Sequence, residues 1–293
     1  MKPNPDFVNL PKDFWAHVRT ISEITGYTYS KIDVNISRRK KVIKVPSPLG
    51  IKTALAKLNL SSSHLLGTGA RLTDFGKLLL DYFKYRAEIL VNYVEPNLMD
   101  VKEAKNEFER LYYSLNPSCP IPLNKQKGEK RAPAYFTGII NMLIENNSEG
   151  ISCDYDPHQL TTTTRDNKPL RTLARRVDGA FPNIVNPIAI WEIKEYYYTT
   201  TFGSRVADGV YETLLDGMEL EELFLNELMK VRHYLMLDSH FTWWECGTPY
   251  LCRIIDMLHM GYVDEVLFGK EVINGLPSLV KEWVQEERYR LNS

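Results

Sequence analysis

Cysteine is scarce: Cys119, Cys153, Cys246 and Cys252 are the four in 293 residues, and their uneven spacing excludes a disulfide scaffold. Long apolar runs are also missing. Stretches such as Ile188–Trp191 and Val266–Phe268 are cut short well before the roughly 20 residues that cross a bilayer, so no membrane span is expected. There is no internal repeat and no low-complexity tract, which excludes solenoids and collagen-like or linker chains. The opening MKPNPDFVNL lacks a basic-then-apolar signal segment, and a cytoplasmic protein with free thiols is the expectation. What is present is an ordinary globular composition, 44% hydrophobic and 25% charged, with a mean hydropathy of -0.30. The length allows one large or two smaller domains with a core that folds without staples.

A net charge of -1 hides an asymmetry. Residues 1–150 hold 22 Lys+Arg against 15 Asp+Glu, and residues 151–293 hold 14 against 22, so a basic half of +7 precedes an acidic half of -8. One half suits polyanions and the other concentrates carboxylates, which gather cations or simply form a solvated helix face.

The apolar spacing predicts helices over Lys12–Ile24, Leu72–Val94 (with Thr73 or Asp74 as N-cap) and Val101–Tyr113. The basic stretch Ser37–Val45 reads as an extended arm or strand edge, in which Arg38, Arg39, Lys40 and Lys41 suit phosphate contacts or merely guard an edge. Pro-, Lys- and Gly-rich residues 116–131 place a boundary between a mainly helical N-terminal region, 1–120, with DNA-binding or specificity as its candidate role, and a second unit, 121–293. In that unit a buried helix is expected over Pro133–Asn146, then strands over Thr172–Phe181 and Ile188–Tyr198. A long helix over Ala207–Val231, a strand over His233–Trp244 and a helix over Pro249–Met260 follow, while Thr161–Thr164 reads as a polar loop. The fold class is therefore α/β in the α+β sense.

The chemistry concentrates in Arg175-Arg176-Val-Asp178-Gly and, after thirteen intervening residues, Glu192-Ile-Lys194. On a strand Glu192 and Lys194 share a face, with Trp191, Ile193 and Glu195 on the other, and Glu195 is expected to face solvent. A neighbouring strand ending at Asp178 brings a second carboxylate alongside. Two hard oxygen ligands and a lysine at one sheet edge are what a Mg2+-dependent phosphodiester hydrolase needs: carboxylates for the cation, and an ammonium to orient water or offset developing charge. The plain alternative is an exposed ion pair. Against it, IAIWEIKEYYY is the most strand-like and apolar run in the chain, where unsatisfied charges are costly.

This pattern resembles the PD-(D/E)xK nuclease superfamily, which includes many type II restriction endonucleases. Asp178 matches its first acidic position and Glu192-Ile193-Lys194 its E-x-K, although Val-Asp replaces Pro-Asp and the Q-x-x-x-Y element of some branches is missing after Arg205. The resemblance spans about residues 133–260 and implies a restriction-endonuclease-like core, in the order helix, strand, strand, strand, helix, strand; one of the three early strands is not visible in the sequence. It also implies Mg2+ as cofactor, with Mn2+ able to substitute, Asp178 and Glu192 as metal ligands and double-stranded DNA as substrate. Glu145, the one acid on the first core helix, is a further candidate ligand. A homodimer is implied too, because duplex cutting needs two strand cleavages, with the acidic helix 207–231 or the C-terminal segment as its contact. Arg175, Arg176, Ser204 and Arg205 are candidate DNA contacts, and Arg171 and the loop tyrosines 196–198 sit beside them. Three readings remain open: a restriction enzyme with a cognate methyltransferase in anti-phage defence, an effector nuclease released by a defence-system partner, and a non-catalytic nucleic-acid-binding protein. RNA remains a possible substrate. Cys246 and Cys252 lack zinc-site spacing, and Ser61–Gly69 lacks the Gly-Lys-Ser/Thr ending of a nucleotide-binding loop.

Overall fold

The computed structural model describes residues 1–33, 38–67, 71–125, 131–199 and 203–292; the side chains of residues 32, 33, 38–40 and 205 also lie outside the description. Helix α1 (Lys12–Thr25) buries Phe14, Trp15, Val18 and Ile21 along one stripe. An antiparallel ribbon follows, β1 (Thr28–Asp33) against β2 (Arg38–Ile43), so the basic stretch is extended as expected. Helix α2 (Pro48–Lys57) starts at a Ser47 cap with proline in its first turn, where a missing N–H costs nothing. Thr73 caps α3 (Asp74–Ile89) by accepting from the Gly76 N–H, and α3 runs on through a π-helical stretch, Leu90–Val94, into the short turn α4 (Glu95–Asn97). Phe7, Phe14, Trp15, Tyr82 and Phe83 form the aromatic core of this region.

Helix α5 (Val101–Leu115) opens with a reciprocal Asp100–Glu103 capping box and packs Ala104, Phe108 and Leu111 onto α6 (Tyr135–Asn147). The apolar core thus runs across the 120/121 boundary expected from composition.

The short strand β3 (Asp154–Tyr155) is followed by a separate hairpin of β4 (Thr162–Arg165) and β5 (Lys168–Thr172), and then by β6 (Gly179–Phe181) and β7 (Ala189–Glu195). Strands β3, β6 and β7 form an antiparallel meander. A crossover through α7 (Ser204–Glu227) places β8 (Arg232–Asp238) parallel to β7. A second crossover through α8 (Thr248–His259) adds β9 (Glu265–Phe268) in the order β3-β6-β7-β8-β9, before the closing helix α9 (Glu271–Asn292). Helices α5, α6 and α9 cover one face, where Trp191 stacks on Trp283 at 5.6 Å. Residues of α7 and α8 cover the other. The fold is α+β, a mixed sheet between helical layers beside a helical N-terminal region. Counting the strands of the five-stranded sheet alone, α6 to β8 runs helix, strand, strand, strand, helix, strand, with the separate β4–β5 hairpin inserted between β3 and β6. The strand invisible in the sequence is β3, whose two residues are too few for an alternation to register.

Three expectations change. Thr172–Phe181 is strand only at its ends, with Thr172 closing β5 and Gly179–Phe181 forming β6; residues 173–178 between them belong to no strand, and the Ala174 N–H donates to the Glu219 carboxylate at 2.9 Å instead of to a neighbouring strand. The polar loop expected over Thr161–Thr164 is strand from Thr162 onward: β4 pairs with β5, and the Thr162 and Thr172 hydroxyls meet at 3.0 Å. The strand begun at His233 ends at Asp238, where Ser239 at φ 130 turns the chain into the π-helical segment His240–Cys246. Among the described residues no helix is long and apolar enough to cross a membrane.

Candidate active site

The site forms where β6 and β7 pair at the α7 face. Gly179 sits opposite Trp191, and a Cβ there would lie 2.2 Å from the indole, so only glycine lets the strand that follows Asp178 lie flat on that ring. The Asp178 N–H donates to Trp191 O at 3.1 Å, and the Asp178 Oδ2 accepts from the Ile193 N–H at 2.7 Å. These two bonds lock the carboxylate against β7 and leave Oδ1 for a ligand.

Glu192 and Lys194 project together toward α7. Lys194 Nζ lies 2.7 Å from Glu192 Oε2 and 4.0 Å from Asp178 Oδ2. Gly209 of α7 makes room for the lysine stem: a Cβ there would press on Lys194 Cδ at 3.1 Å. Helix α7 adds two acids one turn apart. Glu212 lies 3.4 Å from both Lys194 Nζ and Arg175 Nη2, and Asp216 lies 2.6 Å from Arg175 Nη1. Arg175 also lies 2.8 Å from Glu192 Oε1. Two cations and four carboxylates therefore interlock, with Glu192 and Asp216 fully buried and Asp178 two-fifths exposed.

The electrostatics follow from burial and neighbours. Desolvation, then the adjacent Glu192 charge, pushes Asp178 up to about 6. The same two causes, in the same order, push Asp216 up to about 7. Desolvation opposes ionisation of Glu192 too, but Lys194 and Arg175 outweigh it and hold that carboxyl below its ordinary value. Burial likewise opposes the charge on Lys194, yet Glu192 and Asp178 keep the ammonium charged, well above its usual range.

Among the described residues, no group of three or more His, Cys, Asp or Glu side chains is arranged to hold a metal ion. The donor set nevertheless suits Mg2+, which binds through one or two carboxylates and keeps several waters. Among the described residues, Glu192 Oε1 is buried at ion-pair distance from Arg175 but accepts no directional hydrogen bond, and the buried Asp216 Oδ1 has no hydrogen-bond partner. Asp178 and Glu192 are the residues that would hold the cation.

Two grooves meet at Asp178. One, about 430 Å³, is lined by Lys125, His158 and Tyr196, and the other, about 510 Å³, by Arg175 and the exposed Arg176; Asp156 and Asp178 border both. Ser204 is exposed at the start of α7, and the side chain of Arg205 lies outside the described residues. Arg171 is spoken for by Glu219 and Glu222 of α7. Tyr197 donates to Asp238 and belongs to the core packing. The side chains of Arg38, Arg39 and Lys40 are outside the description, and Lys41 donates to Glu245 O at 2.5 Å, on the ribbon rather than at the grooves.

Glu145 does not join the cluster. It stands near the end of α6, accepts from the Ser118 N–H at 3.0 Å and from the Ser118 hydroxyl, and borders neither groove. Glu195 corrects the expectation of a solvent-facing acid: it accepts from the Thr137 N–H and hydroxyl, both at 3.0 Å, and caps α6, whose own N-cap residue Ala134 supplies no side-chain acceptor. The sequence reading missed Glu212 and Asp216. Their i, i+4 spacing on a helix after the E-x-K strand was the available signal, obscured by five other acids in that helix.

The chain belongs to the family described as Domain of unknown function (DUF7687), which matches residues 99–283. A second, Domain of unknown function (DUF7690), matches residues 1–93. No curated protein and no solved structure matches the chain.

Proposed function

We propose that this protein is a Mg2+-dependent endonuclease that hydrolyses phosphodiester bonds of double-stranded DNA, similar to the PD-(D/E)xK enzymes. The observation behind it is the clustering of Asp178, Glu192 and Lys194 across β6 and β7, with Lys194 Nζ within 4.0 Å of both acids. When bound, the cation supplies polarisation of the phosphate and acidification of water. Asp178, anchored by the Ile193 N–H, borders both grooves, and Glu192, buried beside it and aligned by Lys194, would be the second ligand. Lys194, kept charged, orients the attacking water and offsets the negative charge that develops at phosphorus. Arg176 provides a positive wall for the backbone of the strand being cut.

Arg175 favours the effector form of this reading, in which a partner or bound DNA releases the enzyme. It occupies Glu192 and Asp216, and the guanidinium must shift toward a phosphate before Glu192 can take up a cation freely. A homodimer is proposed for duplex cutting, with a defence-system partner or cognate methyltransferase as the associated component. Incubation with unmethylated plasmid and Mg2+ or EDTA tests the reading. Mg2+-dependent products that disappear in Glu192→Ala support it, and intact DNA under every metal condition with a folded protein, with and without candidate partners, refutes it.

A further inference from the structure

Away from Asp178, a cleft of about 530 Å³ opens between α1, α7 and α8, where residues 1–93 meet the remainder of the chain. Two arginines line it, Arg19 from α1 and Arg253 from α8, and among the described residues neither makes an ion pair. Arg19 donates to the Met260 sulfur at 3.3 Å. Arg253 donates to the hydroxyls of Tyr211 at 2.7 Å and Tyr27 at 3.4 Å, and it lies over the Tyr27 and Tyr250 rings at 5.3 and 4.8 Å. Of the two acids bordering the cleft, Asp256 is engaged by Arg86 at 2.9 Å, which leaves Glu23 against two guanidinium groups. The other walls are apolar, from Ile24, Leu214 and Met257.

We propose that this cleft binds a small anionic, ring-bearing molecule of the nucleotide class. Guanidinium groups without a carboxylate partner among the described residues match phosphate in charge and fork geometry, and the exposed Tyr211 ring beside aliphatic walls matches a planar base. The volume falls in the range of small-molecule sites, which favour seams between structural units. Tyr211 precedes Glu212, whose carboxylate lies 3.4 Å from Lys194 and Arg175, so an occupant and the carboxylate cluster share α7.

Isothermal titration of the full chain in EDTA with the 5′-monophosphates of adenosine, guanosine, cytidine and uridine, with the parent nucleosides and with inorganic phosphate, tests this. At least one nucleotide binds saturably, its nucleoside and phosphate bind about tenfold or more weakly, and Arg19→Ala and Arg253→Ala each weaken binding about tenfold or more. Glu192→Ala leaves this binding unchanged, which separates it from the nuclease reading. Because Arg253 also packs on two rings, Arg19→Ala with an unaltered melting point is the decisive variant. The proposal is overturned if no nucleotide saturates below about 1 mM, if the nucleoside binds as tightly as its nucleotide, or if Arg19→Ala binds like the parent protein.

Discussion

Replacing Arg175 by methionine keeps the apolar stem and removes the guanidinium that lies 2.8 Å from Glu192 and 2.6 Å from Asp216, both fully buried. Lys194 still faces Glu192, but Asp216 loses its ion-pair partner. Removing one partner of a buried pair costs about 3–5 kcal/mol, because an uncompensated charge stays behind. At about 2.1 cal/mol/K per residue, a chain of 293 residues unfolds with an entropy of about 0.6 kcal/mol/K, so the midpoint falls by about 5–8 °C. The loss depends on pH in a definite direction. Asp216 already stands at about 7 and Asp178 at about 6 with Arg175 in place, and both rise further without it. A carboxyl with a folded pKa above its unfolded value of about 3.9 is protonated in the folded state first. The cost of the buried charge is therefore present in full above the folded pKa and is relieved as pH falls through it. Scanning calorimetry of the parent and Arg175→Met at about pH 8.5 and about pH 5.5 should give the larger loss at the higher pH. Equal losses at both values, or none at either, would refute the interlocked-charge description.

Three further outcomes follow from the same geometry. Glu195→Ala should lower stability by about 1–2 kcal/mol through loss of the α6 cap, with Glu195→Gln retaining most of it, as read by urea unfolding; an Ala variant as stable as the parent would return Glu195 to solvent. Mg2+ affinity measured by titration should rise about tenfold per pH unit below the Asp178 value of about 6 and level off above it, since the acid must release its proton; a flat profile would remove Asp178 from the ligand set. Asp256→Ala strands the buried Arg86 and removes the acceptor of the Tyr82 hydroxyl, so it should cost about 3–5 kcal/mol in denaturant unfolding; a negligible loss would show that this pair does not tie α3 to α8.

Much of the architecture was legible because burial imposes periodicity. The stripe Phe14, Val18, Ile21 marks α1, Thr73 marks the start of α3, and the apolar IAIWEIK marks β7 as a central strand. Spacing of two along β7 put Glu192 and Lys194 on one face, and their 2.7 Å contact reflects that rule. What was not legible is set by long-range packing. β3 has two residues, and its place at the sheet edge comes from pairing with Gly179 and Ala180 rather than from any local signal. Glu195 looked like a surface acid because nothing in sequence shows that the α6 N-terminus arrives beside it and needs an acceptor. Glu212 and Asp216 belong to the site only because Gly209 lets α7 lie close over Lys194, a relation between residues fifteen apart on different elements.

The most direct test of the central claim is Mg2+-dependent cleavage of unmethylated duplex DNA by the parent protein beside Asp178→Ala, Glu192→Ala and Lys194→Ala, each confirmed as folded by its melting point. The account predicts metal-dependent products from the parent and none from any of the three variants. Cleavage that persists in all three, or no cleavage by the parent with any divalent cation, DNA substrate or candidate partner, would contradict it.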